Sequence, residues 1–378
     1  MTIERRLHLA LSLDGFGAHP AAWRRTSRTP ESAFGSGDLH LDAIARAEHG
    51  LLDFVTLDDT WPLHAERPGR ARGRLEAALV LAVAAARTSR IGLVPTALAS
   101  RLPGEVADRI ATLDHLSAGR AGWRPRVDVT PEQLALVLAD QGGPFVVEAF
   151  AGADEFVQAV TGFWDSWAPG ALVGDRESGR FADQELIRRT DFAGQRVRAS
   201  GSAAVPRPPQ GRPVTAILGH ATVPYRLAAR HADVAFVTPT DRDGLIAIRE
   251  ELEGLRKEAG RTDGDGRLFA DLNVVLAGTQ AAAHQRLADL DGLDGEPFSS
   301  DATTFAGTPA ELADLLEDWF REGGADGFRL RPALLAEDLD AVVEGLVPEL
   351  RRRGLFRTAY TADTLRGHLG LPAAERSA

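Results

Sequence analysis

Asp38-Leu39-His40-Leu41-Asp42-Ala43-Ile44-Ala45-Arg46-Ala47-Glu48-His49-Gly50 runs directly into Leu51-Leu52-Asp53-Phe54-Val55-Thr56-Leu57 and stops at Asp58-Asp59. In the first half Asp38 offers a helix cap, and Leu41, Ile44 and Ala45 recur at helical spacing up to Gly50. In the second half Asp53-Phe54-Val55-Thr56-Leu57 is a short apolar run with strand-forming side chains, closed by an acidic pair. A helix that hands the chain to a strand with no hairpin turn between them is part of a βαβ unit, and so of a parallel sheet.

The same alternation extends in both directions. Leu7-His8-Leu9-Ala10-Leu11-Ser12-Leu13 reads as a strand before the helix. Beyond residue 59 come a helix over 74–87, a strand at 91–96, a helix over 103–116, a turn at Ser117-Ala118-Gly119-Arg120 and a fourth strand over 121–127. Thr130-Pro131-Glu132-Gln133 has the make-up of a helix start. Residues 142–209 read as an irregular insertion, with a hairpin-like piece near 195–200. The rhythm resumes with strands at 214–218, 234–237, 272–276 and 327–330. Between them lie a helical stripe (Tyr225, Ala228, Ala229, Ala232) and a capping box, Thr308-Pro309-Ala310-Glu311, before Leu312, Leu315, Leu316, Trp319 and Phe320. Eight strand–helix units predict an α/β fold, a (β/α)8 TIM-like barrel with an insertion after the fourth strand. No Gly-rich dinucleotide fingerprint follows the first strand, so the doubly wound open sheet ranks second. The expected organisation is one domain over 1–371 with the insertion at about 142–209, and a frayed tail at 372–378.

The chain has 378 residues, 44% of them hydrophobic and 26% charged, the mix of a globular protein with a large core. Its 54 acidic residues against 43 basic ones give a net charge of −11, which repels phosphate backbones, so neither nucleic acid nor an anionic membrane is an expected partner. There is no cysteine, which excludes disulfides, thiolate metal sites and cysteine nucleophiles. Lys257, the single lysine, lies in a polar helical run, which argues against Schiff-base chemistry or a Walker-type phosphate loop. The most apolar long stretch, 75–86, is too short to span a bilayer, and the charged start gives no secretory signal, so a cytoplasmic location is expected.

In such a barrel the reacting groups lie where strands end. That singles out Asp14, Asp58, Asp59, Thr96, residues 123–126, Gly219-His220 and Thr238. Gly219-His220-Ala221-Thr222 follows a strand and opens a helix, where backbone N–H groups can receive a phosphate. The ten histidines form no pair at metal-ligand spacing, so no metal is expected, and no Gly-x-Ser-x-Gly elbow supports a serine hydrolase. Phe163-Trp164 and Trp167 read as core.

Several blocks resemble the luciferase-like monooxygenases, in particular the branch of nitrilotriacetate, dibenzothiophene-sulfone and pristinamycin monooxygenases. They are residues 17–24 and 44–55, Ser117-Ala118-Gly119-Arg120-Ala121-Gly122-Trp123, Asp154-Glu155-Phe156, and Pro208-Pro209-Gln210-Gly211-Arg212-Pro213. Towards the C-terminus come Phe305-Ala306-Gly307-Thr308-Pro309, residues 347–356 and residues 364–371. The resemblance implies a TIM-like barrel, usually dimeric, that receives reduced FMN from a separate flavin reductase and uses O2 to oxygenate a small organic substrate. It implies an apolar floor under the flavin ring and a substrate pocket lined by the insertion. It also places the cofactor at Asp59, Thr96, Trp123, Arg124, Gly219, His220 and Ala221, and assigns no catalytic residue.

This chain departs from the family at the site itself. Arg124 stands where the family has asparagine, and Pro125-Arg126-Val127-Asp128 lacks its Thr-Ser pair. Val146 and Ala149-Phe150 replace a histidine and an Arg-Tyr motif, and Ile217-Leu218-Gly219-His220-Ala221 lacks the glutamine and serine of the phosphate turn. Arg124, Arg126 and His220 are the candidate replacements. The expectation is a reduced-flavin-dependent monooxygenase with an altered site. The alternatives are a barrel that has lost flavin and serves as a non-catalytic partner or binding protein, and an oxidoreductase using the deazaflavin F420.

Overall fold

The computed structural model describes residues 6–58, 69, 71, 73–127 and 143–374. Its strands are β1 (His8–Leu13), β2 (Phe54–Leu57), β3 (Gly92–Leu98), β4 (Gly122–Arg126), β5 (Leu172–Asp175), β6 (Arg180–Ala182), β7 (Thr190–Ala193), β8 (Arg198–Gly201), β9 (Val214–Gly219), β10 (Val234–Val237), β11 (Arg267–Leu276), β12 (Thr303–Gly307) and β13 (Gly327–Pro332). Parallel pairing runs β1-β2-β3-β4-β9-β10-β11-β13 and returns to β1, where Leu9 meets Phe328 and Leu11 meets Leu330. The eight strands read from the sequence are those of the closed ring. The ninth parallel strand, β12, was not read: it pairs Thr303–Gly307 with the last five residues of β11 and lies outside the ring.

Alternation along each strand divides the side chains. Leu9, Leu11, Val55, Leu93, Ile217 and Leu272 join the large core shared with the surrounding helices. Ala10, Phe54, Val94, Ala216, Phe236 and Phe269 point inward and fill the barrel with Leu365, Leu369 and Leu371 from the C-terminal segment. Phe54, Phe236 and Phe269 form a trio with ring centroids 5.5–6.1 Å apart. This layer is a solid plug, so the barrel interior itself leaves a ligand only the rim at the strands' C-terminal ends.

Helix starts follow the sequence with two shifts, one of them the helix read over 74–87, which runs Ala77–Ala85 with Glu76 as its cap. The helix Asp38–His49 is capped by Gly37 in the left-handed region (φ 72°), and Asp38 stands in its first turn. The start at Thr130 falls outside the described residues. Residues 142–209 are less irregular than the sequence suggests. The helix Pro144–Asp165 occupies the start, and its buried face (Phe156, Val160, Trp164) packs on the helix Pro103–Leu116. Two antiparallel hairpins, β5-β6 and β7-β8, follow it. Proline and glycine at 143–144 obscured a helix whose apolar stripe is continuous from Val146 to Trp164. Among the described residues, no helix is long and apolar enough to cross a membrane.

Candidate active site at the barrel mouth

Continuing each strand's alternation past the aromatic plug brings polar side chains into the mouth. Asp271 lies two residues beyond Phe269, and Arg329 two beyond Gly327. Both are fully buried, Arg329 Nε donates to Asp271 at 2.9 Å with a second contact through Nη2, and the guanidinium lies 4.0 Å above the Phe236 ring. Burying a charge is tolerable only with this kind of two-point partner.

A second cluster sits beside it. Thr96 donates to Asp58 at 2.9 Å and accepts from Arg124 Nε at 3.1 Å, Arg124 also contacts Asp58, and Arg126 approaches that carboxylate at 3.4 Å. Burial pushes the Asp58 carboxyl up, but the surrounding Arg124 and Arg126 outweigh it and hold it well below the usual range. Burial pulls Arg124 down to about 10, which leaves it cationic at neutral pH. The sequence did not single out Asp271 or Arg329. The signal was the polar residue at every second position of otherwise apolar strands.

The rim carries a third group. His220 Nδ1 lies 3.0 Å from the Thr238 hydroxyl, and Nε2 lies 3.5 Å from Asp301, which Arg331 pairs at 2.6 Å. Burial is the main cause of a lowered His220 pKa. The adjoining helix Thr222–His231 begins after Ala221, whose methyl cannot cap it; Pro224 has no N–H and the Tyr225 N–H bonds the Ala221 carbonyl, so Thr222 and Val223 carry the N–H groups left without a capping side chain. Gly219 is a packing requirement: a Cβ there would lie 2.6 Å from the Tyr225 ring.

Across the mouth, at the ends of β1 and β2, a pocket of about 350 Å³ opens. Leu13, Phe16, Ala22, Trp23 and Leu57 give it apolar walls, and Asp14, His40, Asp58 and Arg74 its polar points. Among the described residues its lining comes from the ends of β1 and β2 and the segments that follow them, with none from 143–209.

Thr96 and Arg124 thus meet at Asp58, while His220 and Ala221 share the rim on the β9 side. Trp123 is not brought to the mouth. It points outward between Phe156 and Trp164, and its Nε1 donates to Thr215. Asp59 lies outside the described residues, and its neighbour Asp58 is the carboxylate at the mouth. The residues suit FMN at its phosphate end, where the uncapped helix start and His220 offer donors. Beside the apolar pocket the mouth presents paired arginines and Thr96. Arg124 is already paired with Asp58 and bonded to Thr96, so what it can offer the ring end is a planar guanidinium face, not an unanswered charge. Among the described residues, no three His, Asp or Glu side chains are grouped to hold a metal.

The sequence matches the profile of luciferase-like monooxygenases over residues 24–332. The chain belongs to that family. It is 30% identical to nitrilotriacetate monooxygenase component A of Aminobacter aminovorans, over 100% of this chain and 99% of that one. It is 28% identical to the dibenzothiophene-sulfone monooxygenase of Rhodococcus erythropolis (strain XP), over 98% of each chain. Both alignments, at 452 and 446 positions, are longer than this chain, so these relatives carry segments that it lacks. Among solved structures, a riboflavin lyase holding a modified FMN and riboflavin matches with a TM-score of 0.85 at 25% identity, over 98% of this chain and 97% of that one. This luciferase-like monooxygenase shares the barrel of that structure.

Proposed function

We propose that the protein is a reduced-flavin-dependent monooxygenase that receives FMN from a partner reductase in the cytoplasm and works as a homodimer. It would insert one atom of O2 into a small organic molecule. The observation that carries this reading is the uncapped start of the helix Thr222–His231, on the same rim as a cation-rich floor and across from an apolar pocket. Reduced FMN, when bound, supplies the two electrons that leave one oxygen in the product and the other in water. The chain's own part is to hold and to shield. The first-turn N–H groups and His220 would bind the phosphate, Arg124 and Thr96 are fixed by Asp58 beneath the ring, and Phe16 and Trp23 keep water from the pocket.

Titration with reduced FMN under argon, with riboflavin and F420 as comparisons, tests this. Micromolar FMN binding, at least tenfold tighter than riboflavin, supports the reading. Ala221→Asp supplies the missing cap and repels phosphate, so it should leave the melting temperature unchanged or higher and abolish the preference for FMN. The mutual satisfaction of Arg124, Thr96 and Asp58 favours a second reading, a barrel that needs no flavin and serves as a non-catalytic partner or binding protein. Absence of saturation up to about a millimolar selects that reading.

A further inference from the structure

The pocket between the ends of β1 and β2 has an arrangement of polar groups that defines what it can take. Asp14 is paired with Arg74 at 3.1 Å, and Asp58 with Arg124, so the formal charges on its described lining are answered from within the chain. His19 is also engaged: the Ala21 N–H donates to its Nδ1, so Nε2 carries the proton and donates to Asp291 at 3.1 Å. His40 differs. It lines the pocket, only 8% of its surface is exposed, and its Nδ1 is buried without a hydrogen-bond partner.

We propose that this pocket binds an uncharged, largely apolar small molecule bearing one hydroxyl group, and that His40 is the side chain that selects the hydroxyl. The described lining offers an ion no unanswered charge, because a charged ligand would have to break a pair that is already made. The walls of Leu13, Phe16, Trp23 and Leu57 take an aromatic or short branched body. A hydroxyl donates and accepts, so it satisfies a neutral imidazole in either tautomer. His40 stays neutral: burial lowers its pKa first and Arg74 adds to this, while Asp14 opposes both.

The inference deepens the oxygenase reading by giving its substrate class, yet binding requires no flavin, so the two fail separately. The probes are 4-methylphenol and toluene, titrated into the full chain without flavin by calorimetry, with ring nitrogens followed by 15N NMR. The wild type should bind 4-methylphenol saturably and about tenfold tighter than toluene, with a shift of the His40 nitrogens. His40→Phe should bind the two probes alike, at the toluene affinity of the wild type, and His40→Gln should regain part of the preference. Ala22→Trp, which fills the pocket, should lose both. A preference that survives His40→Phe overturns the proposal, as does saturation of neither probe in the wild type, or unchanged binding to Ala22→Trp. Phenol binding with no flavin binding would leave this site standing and remove the oxygenase reading.

Discussion

Arg329 is the residue on which the mouth most depends. Its guanidinium has Asp271 on one side, the Phe236 ring below and the Thr56 hydroxyl 3.5 Å away, all out of water. Arg329→Met should therefore cost about 3–5 kcal/mol by stranding a buried carboxylate, whereas adding Asp271→Leu should recover most of the loss. Urea unfolding of the wild type and the two variants measures it, and a double variant no better than the single one would refute the pairing argument. Asp53 gives the pH dependence. Burial pushes its carboxyl up, but Arg357 and then His8 outweigh this and leave it at about 2, against 3.8 ordinarily. A carboxyl held low contributes stability above its ordinary pKa and loses it as pH falls through about 2, here about 2 kcal/mol. Asp53→Asn should be less stable than the wild type at pH 7, and the gap should shrink between pH 4 and pH 2. A gap constant across that range would show that charge plays no part.

At the scale of elements, Thr308 and Glu311 bond each other's backbone N–H at 3.2 and 2.8 Å, so Thr308→Ala should lower stability by about 1 kcal/mol, read from the denaturation midpoint. Gly92 is tighter. A Cβ there would lie 2.5 Å from the end of Leu365 and 2.7 Å from Phe54 Cβ, so Gly92→Ala should cost about 1–3 kcal/mol, and less when Leu365→Ala is already present. Elements of this kind were legible because their signals are local: Asp53 to Leu57 is a strand by its own composition, and residues 308–311 cap a helix in any context. β12 was not legible, since Thr303-Thr304-Phe305-Ala306 is too short and polar to show a strand until β11 lends it an edge. The mouth was legible only in part. Thr96 and Arg124 stood out at strand ends, but Asp271 and Arg329 sit inside strands, and only the pairing of β11 with β13, which sets them opposite each other, brings them together from 58 residues apart.

For the molecule as a whole, a barrel with an open mouth must be sealed at the other end, and the last described segment does that. Leu365, Leu369 and Leu371 enter beneath Phe54, Phe236 and Phe269. Arg366 clamps Asp233 at 2.9 and 3.0 Å, and Arg267 donates to the Leu369 carbonyl. These contacts tie a stretch near the C-terminus to strands distant from it in the chain, so the seal forms only once the ring has closed. Leu369→Ala should remove about 2–5 kcal/mol of stability by leaving a cavity in the plug. Because the Arg329–Asp271 pair lies between plug and rim, that variant, while folded, should bind FMN and 4-methylphenol with wild-type affinity. Calorimetric unfolding alongside the two titrations separates the roles: lost affinity at full stability would mean that seal and mouth are one coupled unit, whereas lost stability at full affinity is what two independent ends of one barrel require.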